Sequence, residues 1–162
     1  MGFRARYEPC TLLGTMTRRP SRILIVDDPE GRLSRSLVPA LAPHKVDVAR
    51  DALDTIDRID SAGRPYDLIF CDLERGDVPG PELWAYLSLR RREAADRIIF
   101  VASGPQATKA KAFLARIPNP RIELPVDPNE LDALARQHAA VRVSAWPMSL
   151  VKPRPRPERE PA

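Results

Sequence analysis

The sequence lacks the features that would commit it to a membrane, to secretion or to a cofactor with a known fingerprint. It has two cysteines, Cys10 and Cys71, in 162 residues, too few for a disulfide framework. Cys71 sits in an apolar run and reads as a small buried residue. No apolar stretch approaches the roughly 20 residues that cross a bilayer. The N-terminus has Arg4 and Arg6 but no apolar core of secretory length, and position 6 is Arg where a myristoylation pattern needs Ser or Thr. No Gly-rich dinucleotide fingerprint follows the first apolar run, where Asp27-Asp28-Pro29 stands instead, and there is no P-loop. The only histidines are His44 and His138, which fall in a loop and on the buried stripe of a helix. Both read as structural. These absences point to a protein of a reducing cytoplasm.

Positive charge is also missing where nucleic-acid binding would need it. The net charge is +4, but residues 1–20 carry +3 and residues 141–162 carry +3, leaving −2 for the 120 residues between. A domain that grips nucleic acid carries a basic face of its own. Specific nucleic-acid binding is therefore not expected, and tail electrostatics would give only weak, salt-sensitive association.

What is present is a pair of apolar runs that end in acid. Ile23-Leu24-Ile25-Val26 leads into Asp27-Asp28, and Leu68-Ile69-Phe70-Cys71 leads into Asp72. Continuous apolar runs of this length read as strands buried on both faces, as in a parallel sheet covered by helices. Their last residues then lie at the carboxyl edge, where open α/β sheets bind ligands.

The rest of the chain alternates in the same way. A helix near 29–41 carries Leu33, Leu37, Val38 and Leu41 on one face, and Pro39 should kink or end it. A short strand over 45–48 precedes a helix capped by Asp51, with Ala52, Ile56 and Ile59 at helical spacing. After the central strand come a helix carrying Leu83, Trp84 and Leu87, a strand over 98–101, a helix near 105–116, and a strand over 121–124. The last helix opens on Asp127-Pro128-Asn129-Glu130, a capping-box arrangement, with Leu131, Leu134, Ala135 and His138 as its stripe. Pro29, Pro81, Pro105 and Pro128 each fall where a helix should begin. Five βα units predict a doubly wound α/β fold with a five-stranded parallel sheet and right-handed crossovers.

The expected organisation is a flexible leader over 1–20, one domain over 21–140, and a flexible Pro/Arg-rich tail over 141–162. Met16, just before the first strand, reads as the natural start. Lys152-Pro153-Arg154-Pro155-Arg156-Pro157 favours extended polyproline II. A tether for an acidic partner, an aromatic-lined groove or a membrane surface is the sharper reading of that tail.

Asp27, Asp28 and Asp72 at neighbouring strand ends would crowd negative charge. Such a cluster binds a hard cation or holds a shared proton. The plainer reading gives Asp28 the job of capping the first helix.

These motifs, with Pro65-Tyr66-Asp67 ahead of the central strand and Gly80-Pro81-Glu82-Leu83 eight residues past Asp72, resemble a response-regulator receiver domain of two-component signalling over about 22–139. The resemblance implies strand order 2-1-3-4-5. It implies that Asp72 accepts a phosphoryl group from a histidine kinase or phosphotransfer protein. Asp28, Asp72 and the backbone carbonyl of Glu74 would hold Mg2+, with Asp27 acting through water. The helix-4/strand-5/helix-5 face would meet a downstream protein, and homodimerisation is left open. A receiver is enzyme-like only in catalysing its own phosphorylation and dephosphorylation.

The departures from the family are specific. Its switch hydroxyl falls on Ala102, and Ser103 would serve only if the loop shifts by one residue. Its lysine falls on Leu124 before Pro125, which weakens the expectation of Mg2+. Its switch aromatic falls on Arg121, and Arg75-Gly76 replaces its Met-Pro. Arg75, or Arg121 if its strand turns, is the candidate replacement cation. Without the hydroxyl, phosphorylation would make little differential contact with an active state, and so would shift no population. The alternative function is a pseudo-receiver, a protein-interaction module that works without phosphorylation.

Overall fold

A computed structural model of the chain describes residues 19–73, 78–102 and 108–144. Five strands, β1 (Arg22–Val26), β2 (Lys45–Ala49), β3 (Leu68–Asp72), β4 (Ile98–Ala102) and β5 (Arg121–Glu123), alternate with helices α1 (Arg32–Ala40), α2 (Ala52–Ser61), α3 (Gly80–Arg90), α4 (Thr108–Leu114) and α5 (Pro128–Ser144). A further helical turn, Arg92–Ala95, leads into β4. The strands form one parallel sheet in the order β2-β1-β3-β4-β5. This is the doubly wound α/β architecture that the repeat predicts.

The unbroken apolar runs follow from burial on both sides. Leu24, Val26, Ile69, Cys71, Ile98 and Phe100 share one face with Leu83 and Leu87 of α3 and Leu114 of α4. Ile23, Ile25, Leu68, Phe70, Ile99 and Val101 point the other way. There they meet Leu33 and Leu37 of α1, the adjoining Leu41, and Leu131 and Ala135 of α5. With helices on both faces there is no solvent side for polar residues to occupy, so alternation disappears.

Several local expectations need correcting. Helix α1 starts at Arg32 rather than near Pro29, because Gly31 takes a left-handed conformation (φ 68°) at its N-cap. Pro29 lies in the turn before it. Val38 is 39% exposed and leaves the inward stripe to Leu33, Leu37 and Leu41. Pro39 is tolerated because α1 ends one residue later. Helix α4 is shorter than the span near 105–116, and α5 runs four residues past 140. Pro81 is the second residue of α3 and Pro128 the first of α5, as predicted. Pro105, the 1–18 leader and the tail beyond 144 lie outside the described residues.

Caps and cross-links close the layers. The Asp51 carboxylate accepts the Asp54 N–H at 2.7 Å, and Asp127 accepts the Asn129 N–H at 2.7 Å. The His44 Nδ1 accepts the Ser21 N–H at 3.2 Å, so its other nitrogen carries the proton toward Asp132, 2.9 Å away. His44 thus ties the chain before β1 to α5, the structural role read for it. Asn119 joins three segments. Its Oδ1 accepts from Trp84 Nε1 at 3.0 Å, while its amide donates to the carbonyls of Ala95 and Ile98 at 2.8 and 2.9 Å. Asn119→Ala leaves these groups without their partner, and should cost about 1–3 kcal/mol in urea unfolding. An unchanged midpoint would contradict that role.

Candidate functional site at the carboxyl edge of the sheet

Strand register brings the acids together. Val26 pairs with Cys71, so the next residues, Asp27 and Asp72, leave the sheet at the same edge. All three carboxylates are shielded: Asp27 is 0% exposed, Asp72 5% and Asp28 8%. Asp72 pairs with Val101 on β4, which puts Ala102 one step further along. Gly80 packs directly against this corner. A Cβ there would lie 2.7 Å from the Asp72 carbonyl oxygen and 3.3 Å from the Leu73 Cα. Only glycine lets α3 start so close to the end of β3.

Asp27 takes most of the capping of α1 that the plainer reading gave to Asp28, which keeps a long bond from the first N–H of the helix, that of Arg32. The Asp27 Oδ1 accepts the N–H groups of Asp28 (2.8 Å) and Leu33 (3.0 Å), and its Oδ2 accepts that of Ser34 at 2.6 Å. The left-handed turn at Gly31 folds the first turn of α1 back over this carboxylate. A carboxylate offers roughly four acceptor positions, so about one is left for a water or other donor.

Asp28 has a looser arrangement. Its Oδ1 is 3.4 Å from the Arg32 N–H, and its Oδ2 lies 3.0 Å from Arg32 Nε. Arg32 also reaches Glu30 at 3.2 Å. Sequence reasoning missed Arg32 as a cation for the crevice. The signal was its position four residues after Asp28, on a helix that turns back over the strand end.

The two positions considered for a replacement cation do not include this one. Arg121 opens the far edge strand, exposed, in register with Phe100 and hence with Cys71 rather than with a residue beyond Asp72. Arg75 lies outside the described residues, as do Gly76, Ser103 and Glu74. Leu124 is half-buried and packs with the β1–α1–α5 core, its N–H bonded to the Ala102 carbonyl at 3.0 Å. Its peptide bond to Pro125 is cis.

The donors at this edge are hard oxygens. Among the described residues no group of three or more His, Cys, Asp or Glu is arranged to hold a metal ion. Mg2+ does not need one, since it binds through one or two carboxylates and keeps water or phosphate for the remainder. Asp28 and Asp72 fit that chemistry, with Asp27 limited to its one open acceptor position.

An all-parallel sheet in this order, with buried acids at the carboxyl ends of β1 and β3, defines a receiver-type α/β domain. Comparison with solved structures gives the same class. The chain is similar to the signal receiver domain of an HD domain-containing protein from Pseudomonas fluorescens Pf-5, at 27% identity and TM-score 0.63 over 78% of this chain and 99% of that one. It is similar in fold to a CheY-like receiver domain protein from Methanospirillum hungatei JF-1 (22% identity, TM-score 0.63, 78% and 98% covered). It also resembles the receiver domain of the Francisella response regulator 1452 (16% identity, TM-score 0.58, 75% and 98% covered). The chain has the response-regulator receiver fold. No protein-family model matches it, and no curated protein matches it in sequence. Among the described residues no helix is long and apolar enough to cross a membrane.

The different bonding of the two neighbouring acids is testable. Asp27→Asn replaces one acceptor oxygen by an amide that meets backbone N–H groups, whereas Asp28→Asn removes a charge from a crowded edge. In urea unfolding without Mg2+, Asp27→Asn should be less stable than Asp28→Asn by about 1–3 kcal/mol. Equal stabilities would contradict the capping role.

Proposed function

We propose that this chain acts in the cytoplasm as a receiver in two-component phosphorelay signalling, with Asp72 accepting a phosphoryl group from the phosphohistidine of a kinase or phosphotransfer protein. The observation that supports this best is the placement of Asp72. It is the last residue of the central strand, at the shielded carboxyl edge, beside the two acids that follow β1. A carboxylate oxygen of Asp72 attacks phosphorus, the P–N bond breaks, and the imidazole leaves. Catalysis of such a transfer is mostly positioning and charge stabilisation. Asp28 and Asp72, with the Glu74 carbonyl that the family resemblance adds, would hold Mg2+, which would supply charge to offset the phosphoryl group. Asp27 holds the α1 end that carries Arg32, and Arg32 offsets part of the charge on Asp28.

A second reading, the pseudo-receiver, is favoured by two side chains. Ala102 ends β4 without a hydroxyl, and Leu124 brings no ammonium to the crevice. On that reading the face made by α4, β5 and α5 binds a downstream protein, or a second copy, without phosphorylation.

The test is incubation with acetyl phosphate or phosphoramidate and Mg2+, read by intact mass beside Asp72→Asn. An added phosphoryl mass that disappears in the variant is the expected result. No adduct, where a control receiver is labelled, would favour the pseudo-receiver.

A further inference from the structure

Helix α3 is apolar on two sides. Leu83 and Leu87 are buried against the core, and a surface helix of that kind carries polar residues on its opposite side. Here Ala85, Tyr86 and Leu89 are exposed instead, Leu89 by 86% and Tyr86 by 45%. Leu53 of α2, 75% exposed, widens the same patch. It stands about two turns before Asp60, on the line of α2 that meets the end of α3, where Asp60 accepts from Arg91 Nε at 2.7 Å. Single exposed apolar side chains are ordinary, but three gathered on one side of two neighbouring helices mark a contact surface.

The charges along this surface run in a fixed order. Glu82 stands in the first turn of α3, Tyr86 one turn on, and Arg90 in the last turn. The spacing i, i+4, i+8 keeps all three on one stripe. Both charged side chains are exposed. Among the described residues, the ion pairs beside them join Arg58 to Asp54 and Arg91 to Asp60 and leave Glu82 and Arg90 out. An acid, a ring and a base at equal spacing form a stripe that complements itself when turned end over end. Where two such helices cross antiparallel on Tyr86, Glu82 meets the partner's Arg90 and Arg90 meets the partner's Glu82. Each pair lies about 6 Å along the axis from the crossing point. Leu89 then comes down near the partner's Ala85, whose small side chain lets the helices approach.

We propose that the exposed face of α3 binds a second copy of this chain, in a two-fold dimer whose α3 helices cross antiparallel at Tyr86. A two-fold interface uses one patch twice, so the patch must complement itself, and the Glu82–Tyr86–Arg90 stripe does. The opposite charges fix the register, while Tyr86 and Leu89 supply the apolar contact. One helix of 11 residues offers a small patch, which suits a weak, concentration-dependent dimer. The surface uses neither the carboxyl-edge acids nor the face of α4, β5 and α5, so the proposal stands whether or not Asp72 is phosphorylated.

The experiment is sedimentation velocity of the full chain from about 10 μM to about 1 mM. The unmodified chain should pass from monomer toward dimer over that range. Leu89→Glu, at a side chain outside the core, should raise the dimer dissociation constant about tenfold or more. Glu82→Lys and Arg90→Glu each set like charges opposite one another, and each alone should weaken self-association. Mixed in equal amounts, these two variants regain both opposite-charge pairs and should associate with each other. Arg121→Glu, on β5, should leave the dimer unchanged. A chain that stays monomeric to about 1 mM, a dimer indifferent to Leu89→Glu, a mixture no tighter than either variant alone, or a dimer lost in Arg121→Glu would overturn the proposal.

Discussion

The carboxyl edge of this protein depends on one carboxylate, that of Asp27, closing the open end of α1. The first turn of a helix has N–H groups with no partner inside the helix, and Asp27 takes two of them while also holding the N–H of Asp28. The negative charge also sits at the positive end of the helix dipole, which lowers the cost of burying it. That cap fixes where α1 begins, how the Gly31 turn runs, and which way Asp28 and Arg32 face. Three acids in one shielded edge would otherwise repel one another with little to offset them. Here one is held by backbone N–H groups and another by a guanidinium, beside Asp72, to which the proposed chemistry belongs.

The same arrangement explains how a receiver fold tolerates Leu124. A lysine at that position would have brought an ammonium to the crevice from β5; Leu124 instead packs into the core on the α1–α5 side. Part of the compensation comes from β1's own helix, through Arg32, a local i,i+4 contact rather than a reach across the sheet. Ala102 is different, because nothing among the described residues restores a hydroxyl at the end of β4. Phosphorylation at Asp72 would therefore find few contacts that distinguish one state of the β5 face from another. On the proposed reading, acceptor chemistry and signal relay would be separable in this chain, with Ala102 bearing on the relay.

Much of the fold was legible in the sequence because both-face burial leaves a signature that is hard to imitate. The strand runs at 22–26, 68–72 and 98–102 and the cap at Asp51 are local patterns, and each is present within a residue or two. The acids could be placed because strand ends, unlike helix ends, are marked by an abrupt change from apolar to charged. The start of α1 was misjudged because Pro29 is a good helix opener, whereas the positive φ of Gly31 depends on Asp27 reaching back over six residues. Arg32 was missed for the same reason, since its partner is set by that turn. The exposure of Val38 reflects the geometry of α1 against α5, which periodicity alone does not contain.

The central claim, an acceptor site uncoupled from the output face, is tested most directly by amide spectra of the 15N-labelled chain with Mg2+ and beryllofluoride as a phosphoryl mimic. The account predicts saturable shifts around Asp27, Asp28 and Asp72, with Ile122 of β5 and Leu131 and Ala135 of α5 left in place. Complete absence of shifts would contradict the acceptor site. Shifts spreading through Ala102 into β5 and α5 would contradict the uncoupling.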